Sequence, residues 1–176
     1  MKKVMLLTIF AALMMISSAA VAQTANGTLT VTATVNGSIN LVFNSDASGL
    51  ALSSGAGTNA ATLAFGNVSA FGAISAGIVR STTATNFTVS SAVDVLVTKT
   101  NSASANYTLK AQLGSADAVN TWTVGGVAVT NAAQSTLTAT GTYAANSNFP
   151  VAITVPFTTA SGTLISNTIN YVATAN

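Results

Sequence analysis

Residues 28–43 read TLTVTATVNGSINLVF, and the reading of this stretch decides the fold. Its first eight positions alternate without a break. Leu29, Val31, Ala33 and Val35 share one face, and Thr28, Thr30, Thr32 and Thr34 share the other. Period-two alternation of β-branched residues predicts a strand with one buried face. Asn36-Gly37 follows, and Ile39, Leu41 and Phe43 resume the alternation. Two readings stand open. In one, Asn36-Gly37 makes a tight turn and residues 28–43 form a local hairpin. In the other, residues 28–35 leave their own domain and fill a groove in a neighbour. Both bury the same four side chains; they differ in whose core receives them.

The segment before this strand reads as an export signal. Lys2 and Lys3 precede an apolar run from Val4 to Ile16, and Ala20-Val21-Ala22 is a small-x-small cleavage site. The run falls short of the roughly 20 residues a spanning helix needs. The expected organisation is therefore a signal peptide over 1–22, an N-terminal extension over 23–36 and one β-domain over 37–176. Sec export, no membrane span after cleavage and a cell-surface or extracellular location follow. With no Cys in the chain, stability has to come from packing and strand ladders.

Beyond the signal, Arg80, Lys99 and Lys110 balance Asp46, Asp94 and Asp117, so the formal excess of +2 belongs to Lys2 and Lys3. A neutral surface offers no footprint for nucleic acid. The chain is 49% hydrophobic and only 5% charged, less charge than a soluble monomer normally carries.

Strand patterns recur along the rest of the chain. Residues 87–89 open a strand, and Val93, Val95 and Val97 mark another. Tyr107, Leu109, Ala111 and Leu113 alternate with polar residues. Gly125-Gly126 between Trp122–Val124 and Val127–Val129 predicts a two-residue hairpin. A Thr-rich strand follows over 136–142. Val151, Ile153, Val155 and Phe157 predict a strand that Pro150 and Pro156 assign to a sheet edge or a bulge. Ile165, Ile169, Tyr171 and Ala173 share one side of the last strand. Leu50–Leu52 is a candidate short strand, and 127–140 has room for one helical turn. The fold class is all-β, a mainly antiparallel sandwich or barrel.

The residues for catalysis are missing from this pattern. Nucleophilic catalysis needs a base, and there is no His or Glu. Zinc and copper sites lack His and Cys. Asn44-Ser45-Asp46 has oxygens for calcium, but an Asx turn is the plainer reading. Trp122, the only Trp, is a core residue before it is a sugar platform. No catalytic residue, metal or cofactor is expected.

Several stretches resemble a known family. TLTVTATVNGSINLVFNSDASGLAL is similar to the mature N terminus of bacterial chaperone–usher fimbrial subunits, especially the class 5 colonisation-factor pilins. LAFGNVSAFGAISAG resembles the Leu-x-Phe-Gly stretch of secreted pilin-like and spore-coat-U-like domains. NYTLKAQL and FPVAITVPFTTASGTLISNTINYVATAN resemble their middle and last strands. The resemblance implies an immunoglobulin-like sandwich lacking one strand, which a neighbour's extension supplies. Donor positions then fall on Leu29, Val31, Ala33 and Val35, and the hinge on Asn36 and Gly37, where the family often has proline. The acceptor groove falls beside the last strand, around Ile165, Ile169, Tyr171 and Ala173. The implied partners are other copies of the chain, a periplasmic chaperone and an outer-membrane usher. The alternative is a self-complemented secreted domain that binds a surface, matrix or carbohydrate. The leader reading predicts that mass spectrometry of the exported protein finds its first residue at Gln23; a retained Met1 or Lys2 removes it.

Overall fold

A computed structural model describes residues 28–34 and 38–176. The expected leader, Val35 and the expected hinge at Asn36-Gly37 lie outside the described residues. The chain divides at Thr34 into two units, and every strand belongs to the second. Residues 28–34 carry no regular secondary structure and are exposed, Leu29 at 87% and Val31 at 80%.

The second unit is all-β; no helix occurs among the described residues. Its strands are β1 (Ser38–Ser45), β2 (Val79–Thr82), β3 (Asn86–Thr100), β4 (Tyr107–Leu113), β5 (Thr121–Val124), β6 (Val127–Val129), β7 (Ser135–Gly141), β8 (Asn146–Pro156) and β9 (Ile169–Ala175). One sheet runs β1-β3-β8-β5-β6, with β2 also on β3; the other runs β7-β4-β9. Every pairing is antiparallel. The sheets share one apolar core, as in a β-sandwich.

The centre of the large sheet is β3, whose odd-numbered residues from Phe87 to Val97 are all buried. Two expected strands merge here into one of 15 residues. The join is hidden because Ser91 interrupts the apolar stripe. It is 2% exposed, and its Oγ accepts the Leu50 N–H at 2.7 Å, a partner supplied by a distant loop. Along one edge of β3, β1 pairs with residues 93–100 and β2 with 87–90, so residues 46–78 form a long excursion between them.

Three expectations are corrected. The region 127–140 holds β6 and part of β7 instead of a helical turn. Leu50–Leu52 forms no strand; the nearest pairing is a single bridge between Ser54 and Thr62. Most instructively, β8 is an interior strand, between β3 and β5, despite its two prolines. The Pro150 carbonyl accepts from Gly125 N–H at 2.8 Å, so the Pro150 nitrogen also faces the β5 side. Pairing with β5 spans only Val151–Thr154. Pro150 and Pro156 lie just beyond each end of it, where a missing N–H breaks no ladder bond.

The Gly125-Gly126 turn has positive φ at both residues, 58° and 80°, as a type I′ hairpin requires. Gly141 is needed for a different reason. It pairs with the fully buried Tyr107, and a Cβ there would lie 2.3 Å from the ring. Tyr107 in turn reaches Ser147 of the opposite sheet, hydroxyl to hydroxyl at 3.3 Å. Gly141→Ala is expected to cost about 1–3 kcal/mol in urea unfolding, the usual cost of overpacking. Adding Tyr107→Leu makes room, so the second change should cost less in the Gly141→Ala background than alone.

Candidate functional site: a groove between two strand edges

Strand β9 is an edge strand, and its hydrogen-bond parity fixes what that edge presents. Asn176 N–H donates to the Asn106 carbonyl at 3.0 Å, and Gly114 N–H donates to the Thr168 carbonyl at 2.8 Å. In the β4–β9 register these are even-numbered positions of the last strand. Antiparallel pairs alternate, so the even residues bond to β4 and the odd ones point their N–H and C=O the other way. Ile169, Tyr171 and Ala173 thus turn their side chains toward the core and their backbone polar groups toward the open edge.

The same parity governs β1 in the other sheet. Phe43 N–H donates to the Thr58 carbonyl at 2.8 Å, and the Phe43 carbonyl accepts from Gly57 N–H at 2.7 Å. The odd residues of β1 therefore face away from β3. Residues 57–58 satisfy Phe43, while Ile39 and Leu41 find no backbone partner on that side among the described residues.

Between these edges lies a groove of about 1760 Å³. Ile39 and Leu41 line one side, Ile169 and Tyr171 the other, and Val89 and Val155 lie at its floor. Phe43 and Tyr171 meet edge-to-face with ring centroids 5.0 Å apart, joining β1 to β9. Burial pushes the Tyr171 phenol above the usual tyrosine range, so it stays neutral at any ordinary pH.

Ile169 and Tyr171 line the groove as expected of the sequence. Ile165 lines it too, but from the connection between β8 and β9 and not from the last strand. Ala173 packs against the core on the same face without lining the groove. Leu29, Val31 and Ala33 are exposed and in no strand. Ile39 and Leu41 were legible as a strand face but not as a groove wall, because that role depends on which side of β1 takes β3. Leu63, Phe65 and Val68 also line the groove, and only a broken alternation hinted at them.

The other candidates resolve as structural. Trp122 is 6% exposed and donates from Nε1 to Asp117 Oδ2 at 2.8 Å, so its ring is core. Asp46 accepts from the Ser48 N–H at 2.8 Å and from the Ser48 hydroxyl; this is an Asx turn, and these bonds hold the carboxyl below its usual range. Among the described residues no three His, Cys, Asp or Glu converge. Comparison with family models, curated proteins and solved structures finds no match for this chain.

Asp117 ties its turn together. Desolvation raises its pKa, but bonds from the Asn120 backbone, the Trp122 indole, the Asn120 amide and the Val119 backbone outweigh it and hold the carboxyl at about 2. A carboxyl depressed below its ordinary 3.8 adds stability above that pH. The contribution is lost as pH falls from there through about 2. Urea midpoints taken across this range should fall with acid, and Asp117→Asn should flatten the fall; an unchanged slope refutes the assignment.

Proposed function

We propose that this chain is a structural subunit of an extracellular fimbria or filament, joined to its neighbours by donor-strand complementation. In this reading its body is an immunoglobulin-like sandwich lacking one strand. The observation that carries it is the groove: a gap floored by apolar side chains between β1 and β9, where Ile39 and Leu41 on one side and Ile169, Tyr171 and Ala173 on the other turn their N–H and C=O groups away from their own sheets. Filling such a gap with loose apolar side chains leaves the backbone groups unpaired, and each buried unpaired group costs about 1–3 kcal/mol. An extended segment with alternating apolar residues meets both needs at once, by strand addition. The chain holds such a segment in residues 28–35, and its described part, 28–34, belongs to no sheet.

Donation to a neighbour is favoured over self-complementation by the scarcity of charge: a chain only 5% charged suits a surface meant to be packed against other copies. A segment from one copy entering a groove on the next is a heterologous contact, which propagates as an open filament. Burying Leu29, Val31 and Val35 contributes roughly 1.5–3 kcal/mol each, with the ladder added, so each joint opens slowly. Before assembly, the unpaired strand edges beside the groove are an aggregation hazard, which a periplasmic chaperone would cap and an usher would release. The reading assigns no catalytic residue, cofactor or metal.

The test compares the chain from Gln23 with one lacking residues 23–36. The longer chain should form SDS-resistant ladders on concentration. The shorter should be unstable alone and rescued by a peptide of residues 23–36, but not by one with Val31→Asp. A full-length chain that remains monomeric at every concentration, with a truncated form of equal stability, overturns the proposal.

A further inference from the structure

Residues 62–70, TLAFGNVSA, run along the groove without joining either sheet. Leu63, Phe65, Val68 and Ala70 are half-buried against the core. At the front, Thr62 is held by its N–H to the Ser54 carbonyl, 3.0 Å, and its carbonyl from the Ser53 N–H, 2.9 Å. At the back, one guanidinium clamps the chain: Arg80 Nη1 donates to the Ser69 carbonyl at 2.9 Å and Nη2 to the Gly72 carbonyl at 2.8 Å. Phe71 stacks on Phe157 with centroids 6.0 Å apart, and Phe157 stacks on Phe87. Between these two fixings, Leu63–Val68 make no backbone hydrogen bond among the described residues. The middle is held by side chains alone.

The pattern of those side chains explains why. Leu63 and Phe65 are odd, Val68 and Ala70 even. Gly66, at φ +66°, resets the frame between them so that both pairs face inward. A run with its register broken at the centre cannot make one continuous ladder. Residues 29–35 keep theirs over four positions.

We propose that residues 63–70 are a resident cover for the groove, latched by Arg80, which a donor strand displaces. The proposal rests on the donor-strand reading of the groove. Cover and donor both bury apolar side chains, but only the donor adds a ladder along β9 or β1. Exchange therefore runs toward the donor. A segment without backbone bonds opens locally at low cost. The free subunit keeps its apolar floor shielded, and capture of a donor is limited by how often the latch opens.

The test uses the mature chain diluted below the concentration at which it polymerises, with a fluorescent peptide of residues 23–36. Hydrogen exchange by mass spectrometry follows residues 63–72, and fluorescence follows capture. Peptide binding to the wild-type chain should raise exchange in 63–72. Arg80→Gln should raise it without peptide and speed capture about tenfold, as expected when the open fraction limits binding. Arg80→Lys, with the charge but not the fork, should fall between. The cover is refuted if peptide binds while exchange in 63–72 holds steady or falls, or if Arg80→Gln captures no faster than wild type. Failure of wild type and Arg80→Gln alike to capture any peptide brings down the donor-strand reading and the cover with it.

Discussion

A β-strand at the margin of a sheet makes two demands in perpendicular directions. Its inward side chains need apolar cover, and its in-plane N–H and C=O groups need partners or water. In β9 both demands fall on the same residues, Ile169, Tyr171 and Ala173, because odd positions face the core with their side chains and the open edge with their backbone. Ile39 and Leu41 repeat the arrangement across the groove. Water satisfies the backbone at the expense of the side chains, and an apolar loop does the reverse. The arrangement of both sheets around the gap makes sense only in terms of this conflict.

The conflict also ranks the segments proposed as its occupants. Residues 63–70 bring four apolar side chains and no ladder, so they answer one demand. Their hold is concentrated at the ends, in Thr62 and in the Arg80 fork. Residues 29–35 have the alternation to answer both. The difference lies in a single glycine-centred frame change, and it is worth a row of hydrogen bonds at about 0.5–1.5 kcal/mol each.

Much of the strand content was legible because half-buried strands declare themselves by period two. β4 and the β5–β6 hairpin carry that signal; in β7 it breaks, where pairing with β4 shifts register between Tyr107 and Lys110. What sequence alone left hidden was non-local. Ser91 splits β3 on paper, yet the Leu50 N–H that satisfies it lies in another part of the chain. Pro150 and Pro156 argue for an edge by a sound rule, but β5 is shorter than the spacing between them and the rule is met inside the sheet. For the groove, the apolar faces of 39–43 and 169–173 could be read. That their backbones point into one gap could not, since this depends on which flank of each strand its partner occupies. Ile165 shares the apolar pattern of β9 but precedes the strand, because regular pairing with β4 begins at Ile169.

The scarce charges fit the same logic. Arg80 is spent on the Ser69 and Gly72 carbonyls, and Lys99 lies 4.9 Å from the Tyr143 ring. Asp94 accepts from the Asn146 and Asn148 amides, and Asp46 and Asp117 close turns. From residue 38 onward three cations balance three anions, and a formally neutral body neither repels another copy nor steers it. In the donor-strand reading, encounter between copies is then set by ordinary diffusion, and selectivity comes from what happens at contact. On such a surface an apolar gap left bare would trap any extended hydrophobic segment. The proposed cover, without a ladder of its own, would raise the threshold for capture: weak, irregular segments would gain too little to displace it, while a strand of unbroken alternation would gain both burial and backbone pairing.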